Sequence, residues 1–408
     1  MPCVIQNPRH YSYYACLHHR CIETHRGNKL IISEHLAKRL VAAYGLQVPP
    51  GQVAQTPEAA TAVARELGGL AFAVKALIPT GGRGKAGGVK LCSSIEAVTE
   101  AAHSLLGHEL LGCQVTTVLV EKAMPITREI YAGVITNSAS DRIDLVVSFA
   151  GGMDIENTAQ SGHQAIWQLP VEPGDILPVY RVRQWLSQAR VEDVNIEALA
   201  HVLVTLYRAA ADLDAILLEI NPLAVLTDAS LALLDCKLEV DDNSLPRHPE
   251  LAEVYRSSLS SRELRARELG VSYVPLDGDI GVITSGAGLG MCTIDLLKQQ
   301  GLNPANFLDT GGGISATLVQ GALELIMEPP QVRGAIINLY GGINRMLEAS
   351  KGIVAALQTI PGERPLVVKI LGNQQEEAWA MLETAPNVHV IRVVQTEDAV
   401  SRLAGLVS

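Results

Sequence analysis

Several features that mark other classes of protein are scarce in this 408-residue chain. Aromatic residues make up only 4% of it. No run approaches the roughly 20 apolar residues that a membrane-spanning helix needs, so we predict no membrane association. Basic residues number 32 against 43 acidic ones, which gives a net charge of -11. Because binding to nucleic acid requires clustered Lys and Arg, this balance disfavours a nucleic-acid partner.

The seven cysteines do not suggest a disulfide framework. Three lie in residues 1–29, a basic segment that also holds four histidines. Cys16, Cys21 and His25 suggest a zinc site, but their spacing matches no common zinc finger. We therefore interpret residues 1–29 as an extension, either disordered or a misassigned start. We expect the remaining cysteines to be buried, reduced thiols; they are Cys92, Cys113, Cys236 and Cys292.

What is abundant indicates a globular α/β protein. Hydrophobic residues make up 48% of the chain and glycine contributes 35 positions, which fits strands and helices joined by glycine turns. At about 150 residues a domain, the length predicts two or three domains. We expect a soluble protein of the cytoplasm, or of the mitochondrial matrix if the source is eukaryotic.

Periodicity divides the chain into two regions. Residues 31–45 read as one amphipathic helix with Ser33 as a cap, and residues 70–76 as a strand that ends beside a glycine-rich loop. From residue 279 the pattern changes to regular strand–turn–helix units, which predict a parallel sheet with crossover helices. Ligands of such sheets bind at the carboxyl ends of the strands, where the glycine turns lie.

The glycine-rich loop reads GGRGKAGG from Gly81 to Gly88. Its glycines allow backbone N–H groups to approach an anion, and Arg83 and Lys85 add positive charge. It is not a P-loop, because no Gly-Lys-Ser/Thr opens a helix here. Taken alone, a mobile glycine hairpin is an equal alternative.

Three polar residues in apolar strand patterns carry further chemistry. Glu219 and Asn221 are predicted to share one face of a strand, and Asp235 follows four apolar residues on a neighbouring strand. Carboxylate and amide oxygens are ligands that Mg²⁺ prefers, together with phosphate oxygens of a nucleotide. An ion pair with a nearby Lys or Arg is the alternative for either acid. With Lys75, the basic loop, Glu121 and Glu129, the set predicts a nucleotide–Mg²⁺ site.

The order of these motifs resembles the β subunit of succinyl-CoA synthetase and related acid–CoA ligases, including malate–CoA ligases. The resemblance covers residues 30–408. It rests on the segments VK (74–75), GGRGKAGGVK (81–90), LVE (119–121), REIY (128–131), GGMDIE (151–156), LEINPL (218–223), LDCK (234–237), DN (242–243), YVPLDG (273–278), GAGL (286–289), PANFLD (304–309) and GGG (311–313). On these matches the chain is identified as a member of that family.

The resemblance implies an α/β protein with an ATP-grasp fold followed by a flavodoxin-like parallel α/β domain. It implies nucleotide contacts at Lys75, Gly82, Arg83, Gly84, Lys85 and Glu129, beside Glu121. It implies Mg²⁺ ligands at Asn221 and Asp235, and a catalytic role for Glu219 facing the histidine loop of the partner. It implies binding of the acyl substrate at Ser285, Gly341, Gly342, Ile343 and Asn344, through backbone amides of the kind that bind anions at helix N-termini.

The family reaction, as the resemblance implies it, uses ATP or ADP (with GTP not excluded), Mg²⁺, CoA and a small carboxylic acid. ATP and the acid give an acyl phosphate, a histidine of the partner α subunit takes the phosphoryl group, and the CoA thiolate attacks the acyl group. The α subunit also carries the CoA-binding domain. His163 in this chain does not resemble the phosphohistidine segment, so we expect the chain alone to be inactive.

Three departures from the succinate-specific pattern bear on the acid. Ser285 stands where Asn is usual, Asn344 where Val is usual, and Thr310 where Val is usual. The run Ile-Asn-Arg at 343–345 resembles malate–CoA ligases. A hydrogen-bonding site rejects substrates that leave its polar groups unpaired. We therefore hypothesise a dicarboxylic acid with an extra polar group, such as a hydroxyl, with citrate as another candidate.

The predicted organisation is an extension at 1–29, an ATP-grasp domain of two lobes at 30–250, a linker at 251–270 and a flavodoxin-like CoA-ligase domain at 271–408. Two alternatives stay open. One is a nucleotide-binding regulatory subunit or pseudo-enzyme, against which the complete set of motif residues argues. The other is a standalone ATP-grasp carboxylate–amine ligase, which has no use for the second domain.

Overall fold

The computed structural model describes residues 29–149, 166–189, 191 and 193–407. Within these ranges the chain divides into two compact units, the first ending at Leu251 and the second beginning at Ala252. The extension predicted at 1–29 lies outside the described residues except for Lys29, and so do His163 and the GGMDIE segment. In the described part of the chain, no helix is both long and apolar enough to traverse a bilayer.

In the part of the chain that the structure describes, the first unit is built from antiparallel sheets and five α-helices. Its strands are β1 (Lys29–Ile32), β2 (Gly51–Ala54), β3 (Phe72–Ala76), β4 (Val89–Cys92), β5 (Glu109–Leu110), β6 (Cys113–Gln114), β7 (Val118–Lys122), β8 (Ile126–Asn137), β9 (Arg142–Ser148), β10 (Trp167–Val171), β11 (Ala215–Leu226), β12 (Leu231–Leu233) and β13 (Lys237–Asp241). Its helices are α1 (Glu34–Ala42), α2 (Pro57–Leu67), α3 (Ile95–Leu105), α4 (Val179–Ser187) and α5 (Ile196–Asp212), followed by a 3-10 helix (Asp242–Arg247).

Two sheets carry the predicted nucleotide-site residues. The four-stranded sheet has the order β2-β7-β3-β4, and its core with α2 and α3 is centred on fully buried Phe72 and Val74. The seven-stranded sheet has the order β1-β13-β11-β8-β9-β10, with β12 paired to β11. Side chains alternate across both sheets, so each strand places one set of residues in a core and the other on the opposite face.

The helix predicted over residues 31–45 begins later, at Glu34. Leu30 and Ile32 are buried side chains of β1, which pairs antiparallel with β13. Long-range strand pairing therefore outweighs the local helical pattern at these positions. Ser33 occupies the N-cap position, but its hydroxyl accepts no capping hydrogen bond.

The second unit is a parallel sheet covered by helices. Its helices are α6 (Pro249–Ser258), which spans the division between the units, α7 (Ser261–Leu269), α8 (Ala287–Gln299), α9 (Ala316–Met327), α10 (Met346–Leu357), α11 (Gln375–Leu382) and α12 (Thr396–Val407). Its strands are β14 (Ser272–Pro275), β15 (Ile280–Thr284), β16 (Asn306–Asp309), β17 (Gly334–Arg345), β18 (Leu366–Asn373) and β19 (Val388–Val390). The sheet order is β14-β16-β15-β17-β18-β19, and every pair is parallel except β14 with β16. The predicted parallel sheet is confirmed.

The predicted linker at 251–270 is helical. Proline is tolerated in the first turn of a helix, and α6 begins at Pro249. Ser260 and Glu263 form a capping box at the start of α7, which ends at Gly270 in the left-handed conformation. Because Ala266 of α7 is buried in the core of the second unit, this segment is part of that unit's packing.

Each face of the parallel sheet packs on its own layer of helices. Ile283 and Ile337 belong to one core, whereas Val282 and Ile336 belong to the other, which is completed by residues of α8 and α12. This alternation is expected for strands that are covered on both faces. Residues at the carboxyl ends of β15, β17 and β18 are therefore the part of the sheet left open for a ligand.

The cysteines only partly match their predicted burial. Cys92 and Cys236 are buried, and burial raises the pKa of the Cys236 thiol well above its usual range. Cys113 is half-buried and Cys292 is exposed on α8. The prediction of four buried thiols is wrong for these two, because an apolar neighbourhood in sequence does not decide which face of an element a side chain occupies.

Candidate active site

Six charged side chains meet in the interior of the first unit. We call them the charge cluster: Glu34, Lys38, Lys75, Arg83, Glu121 and Asp235. Three are cations and three are carboxylates, so their formal charges cancel. All except Asp235 are buried. Burial of charge on this scale requires partners for every group, and the hydrogen bonds described below supply them.

Lys75 reaches the cluster from the carboxyl-terminal part of β3. Its Nζ lies 3.0 Å from Glu34 Oε1 and 2.8 Å from Glu121 Oε2, and it donates to the carbonyl oxygen of Leu234 at 2.6 Å. Burial opposes the charge of Lys75, but the carboxylates of Glu34 and Glu121 more than offset it and raise the pKa of Lys75 above its usual range. Lys75 therefore stays protonated in the interior.

Arg83 links the glycine-rich loop to the same carboxylates. Its Nη2 donates to Asp235 Oδ1 at 2.8 Å and Oδ2 at 2.9 Å, and to Glu34 Oε2. The loop closes onto β3 because Ala76 N donates to Gly88 O at 2.8 Å, while Gly88 N donates to Arg83 O at 2.7 Å. Gly82 has a φ of 78°, which glycine adopts without strain. Gly84 and Lys85 lie in the exposed part of the turn.

Glu34 and Lys38 are members of the cluster that sequence reasoning missed. They lie four residues apart on α1, with Lys38 Nζ 2.7 Å from Glu34 Oε1 and 2.7 Å from Glu121 Oε1. Burial alone would raise the pKa of Glu34, but the charges of Lys75, Lys38 and Arg83 hold it well below its usual range. An acid and a base at this spacing read as an ordinary surface pair, so the sequence offers only a weak signal for them.

The predicted Mg²⁺ ligands lie on adjacent segments. Leu234 N donates to Pro222 O at 3.1 Å, so Asn221 and Asp235 are each one residue from that hydrogen bond. Asp235 was predicted on a strand, but it lies in the connection between β12 and β13, where its carboxylate accepts from Cys236 N at 2.8 Å. Such a local side-chain bond competes with strand pairing.

The described residues contain no group of three or more His, Cys, Asp or Glu side chains that could hold a metal. An ion in this region would therefore depend on one or two protein oxygens and on oxygens of its ligand. That is the usual arrangement for Mg²⁺ bound with a nucleotide, and the oxygens of Asn221 and Asp235 fit it.

Glu219 and Glu129 lie on neighbouring strands of the seven-stranded sheet. Glu219 on β11 is half-buried, opposite Gly133 of β8 and Lys237 of β13. The register of β11 against β8 shifts between Ile220 and Leu223. The regular alternation of side chains, which predicts one shared face for Glu219 and Asn221, is therefore interrupted in this part of the strand. Glu129 on β8 is also half-buried and lies outside the charge cluster.

In the second unit, three strand ends are tied together by side chains. Ser285 Oγ accepts from Tyr340 N at 2.9 Å and donates to Tyr340 O at 3.1 Å. Asp309 Oδ1 accepts from Gly286 N at 2.6 Å and from Gly311 N at 2.8 Å. Asp309 is a further residue without a predicted role, although it stands directly before the Thr310 turn. These bonds hold the turns after β15 and β16 close to one another and to Tyr340 within β17.

The predicted acyl-binding residues differ in their surroundings. Asn344 is half-buried and its Oδ1 accepts from Ile314 N at 3.5 Å, whereas Ile343 is 93% exposed. Gly341 and Gly342 lie between Tyr340 and Ile343 within β17, so the turn predicted here is the last part of that strand. Thr310 is 3% exposed, and its hydroxyl donates to the carbonyl oxygen of Thr284. The expectation that Thr310 offers its hydroxyl to a substrate is therefore wrong, because that group is already engaged by the backbone.

Two family models match the chain. An ATP-grasp domain model matches residues 31–225, and a CoA-ligase model matches residues 283–406. The β subunit of the GDP-forming succinate–CoA ligase of Thermus thermophilus is 41% identical over 375 residues, covering 92% of this chain and 99% of that one. The β subunit of the ADP-forming enzyme of Chloroflexus aurantiacus is 40% identical over 353 residues, covering 86% and 93%.

The chain belongs to the succinate–CoA ligase β-subunit family. The predicted family and fold class are thereby confirmed. Among solved structures, ATP citrate lyase from Methanothrix soehngenii in complex with citrate and coenzyme A has a TM-score of 0.72 at 18% identity, and covers 92% of this chain and 99% of that chain. At that identity the likeness is one of fold.

Proposed function

We propose that this chain is the nucleotide-binding β subunit of a heteromeric, ADP-forming acid–CoA ligase. The ligase couples ATP cleavage to formation of a thioester between CoA and a small dicarboxylic acid, through a histidine phosphorylated on an α subunit. The observation that carries the proposal is the convergence of Lys75, Arg83 and Asp235 in one cluster, within a chain of this family. Two cations and a hard-oxygen ligand are what a nucleotide phosphate with Mg²⁺ requires.

The donor set fits a nucleotide with its ion. Lys75 and Arg83 would contact phosphate oxygens, and Asn221 and Asp235 would hold Mg²⁺. Thr80, which precedes the glycine-rich loop, has a buried hydroxyl without a hydrogen-bond partner among the described residues. A buried donor of this kind favours a ligand oxygen nearby. When bound, Mg²⁺ neutralises charge on the phosphates during transfer.

The residues of this chain contribute mainly by positioning. Phosphoryl transfer needs little covalent chemistry from the protein beyond alignment and charge stabilisation. In the proposed site Glu34 and Glu121 orient Lys75, the glycine-rich loop supplies backbone donors, and Glu219 faces the partner's histidine loop. Glu121 is thus a support for the cations, and Glu129 and Lys85 complete the nucleotide pocket.

The acid is proposed to be succinate-like, and hydroxylated as in malate. Of the three polar substitutions in the acyl region, Asn344 supports the hydroxyl. The hydroxyls of Ser285 and Thr310 are already engaged by backbone groups. GTP stays the alternative nucleotide, since the Thermus relative is named as GDP-forming. Citrate is supported only by a likeness of fold. A regulatory or pseudo-enzyme subunit is the competing function.

Co-expression with an α-type chain and a hydroxamate assay across dicarboxylic and hydroxy acids tests the proposal. We expect CoA- and nucleotide-dependent turnover with at least one dicarboxylic acid, and none from the β chain alone. ATP and GTP are compared in parallel arms. A complex that binds nucleotide but turns over no acid contradicts the proposal and favours the regulatory alternative.

A further inference from the structure

A pocket of about 290 Å³ opens at the carboxyl end of the parallel sheet in the second unit. It is lined by Ser285, Leu289, Tyr340, Lys369, Val394 and Thr396. Ligand pockets for drug-sized molecules occupy roughly 300–1,000 Å³, and this one, at the lower end of that range, suits a small acid. Its rim includes Ser285, which belongs to the proposed acyl site.

Lys369 contributes the positive charge of this pocket. It lies on β18 opposite Asn338 of β17, and only 2% of its surface is exposed. Lys369 Nζ donates to Asn338 Oδ1 at 3.1 Å. Asn338 is held in turn, because its Nδ2 donates to Thr293 Oγ1 at 3.0 Å and to Thr396 Oγ1 at 3.2 Å. One ammonium hydrogen is therefore engaged, and the group has two more donors.

The charge of Lys369 has no direct counter-charge within the described residues. The structure gives it no ion pair there, in contrast to Lys75, which contacts two carboxylates. Glu397 acts on it only through space, and burial lowers the pKa of Lys369. A buried cation without a partner costs stability. Groups of this kind cluster at functional sites, where a ligand can supply the missing charge.

We propose that Lys369 binds the second, non-reacting carboxylate of a dicarboxylic acid in this pocket. The inference rests on the proposed function, and it deepens it by naming the residue that selects a dicarboxylic over a monocarboxylic acid. Lys369 lies beyond the glycine turns and belongs to none of the motifs that define the family resemblance. Its neutral partner Asn338 orients the ammonium group without neutralising it.

The test uses the complex with the α-type chain and four forms of this protein: wild type, Lys369→Met, Lys369→Arg and, as control, Lys298→Met. Lys298 is an exposed lysine in the last turn of α8. Thermal unfolding is measured with no ligand, with succinate or malate, and with sulfate at equal ionic strength. KM is measured for the acid, for the nucleotide and for CoA.

We expect Lys369→Met to lose the increase in Tm that the dicarboxylate causes, and to raise KM for the acid about 10- to 100-fold, as loss of a charged hydrogen bond implies. KM for the nucleotide should stay unchanged. Tm without ligand should be unchanged or higher, because an unpaired buried charge is removed. Lys369→Arg should retain much of the Tm increase with the dicarboxylate and a KM for the acid nearer to that of wild type. Lys298→Met should match wild type in both measurements.

Three results would overturn the inference. The first is a Lys369→Met variant whose Tm increase with the dicarboxylate and whose KM for the acid equal those of wild type. The second is an equal Tm increase when sulfate replaces the dicarboxylate. The third is a wild-type complex that no dicarboxylate stabilises. A fall in Tm of Lys369→Met with an unchanged KM would make Lys369 a structural residue. A complex without turnover contradicts the proposed function instead, and the Tm measurements then still decide the role of Lys369.

Discussion

Glu34 Oε1 lies 3.0 Å from Lys75 Nζ, and its other oxygen accepts from Arg83. One carboxylate on α1 therefore orients both cations that are proposed to contact the nucleotide phosphates. Its own charge is supported by Lys38 from the same helix at 2.7 Å. Glu34 is a positioning residue in this arrangement, since it acts through Lys75 and Arg83.

Glu34→Gln should destabilise the first unit. The substitution leaves three buried cations facing two carboxylates, and loss of one member of a buried charge network costs about 3–5 kcal/mol. KM for the nucleotide should also rise, by roughly tenfold, because the cations lose their shared anchor. Urea unfolding and steady-state kinetics measure the two effects. The exposed Glu66→Gln on α2 is the control, and equal behaviour of the two variants would argue against a positioning role.

The contribution of Glu34 to stability should decrease as the pH falls below about 4.5. Its pKa in the folded protein is held below the ordinary value of 4.5 by the three cations. Its contribution is therefore fully present above the unfolded pKa and is lost as the pH falls towards the folded one. The difference in free energy of unfolding between wild type and Glu34→Gln should shrink as pH is lowered from 4.5. A difference that stays constant from pH 7 to pH 3 would contradict this.

Asp235→Asn should abolish nucleotide-dependent turnover of the complex while leaving the fold intact. The side chain of Asp235 is 36% exposed, and Arg83 keeps its bond to Glu34, so the loss of stability should be about 1 kcal/mol. The hydroxamate assay and thermal unfolding report the two quantities. Asp228→Asn, in the exposed turn before β12, is the matched control. Turnover retained by Asp235→Asn would disprove its assignment as a metal ligand.

Asn344→Val should shift acid preference towards succinate. Asn344 brings an amide to the end of β17 where succinate-specific members of the family usually have Val. A polar group that a bound substrate leaves unpaired penalises a substrate without a partner group. We expect the ratio of kcat/KM for malate over succinate to fall about tenfold or more. The hypothesis fails if succinate already outcompetes hydroxylated acids in wild type and this variant changes nothing.

Gly372→Ala should displace the backbone of Gly341, which belongs to the proposed acyl site. A Cβ at Gly372 would lie 2.1 Å from the carbonyl oxygen of Gly341, and the φ of 143° disfavours any other residue. The backbone of β17 at Gly341 would have to move, at about 2 kcal/mol or more. Gly405→Ala in α12, where a Cβ meets open space, should be neutral or slightly stabilising. Equal Tm values for the two variants would contradict the clash.

Local patterns predicted much of the fold. The strand–turn–helix units after residue 279 gave the parallel sheet because hydrophobic runs and glycine turns are short-range signals. The same local reasoning failed at residues 31–32, where pairing with β13 decides the conformation. The segment 251–270, predicted as a linker, forms α6 and α7, and Ala266 of α7 is buried in the core of the second unit.

The sequence by itself determined the family, the fold class and a set of candidate site residues, because ordered motifs and their residue types are written along the chain. Only the tertiary structure decided which of them meet. Arg83 and Asp235 are 152 residues apart, and Glu34 and Arg83 are 49 apart. The need of each buried charge for a partner is non-local. This non-local pairing joins Glu34 and Lys38 to the nucleotide-site residues. The tertiary structure also places Lys369 in the lining of a pocket. No local pattern predicts either arrangement.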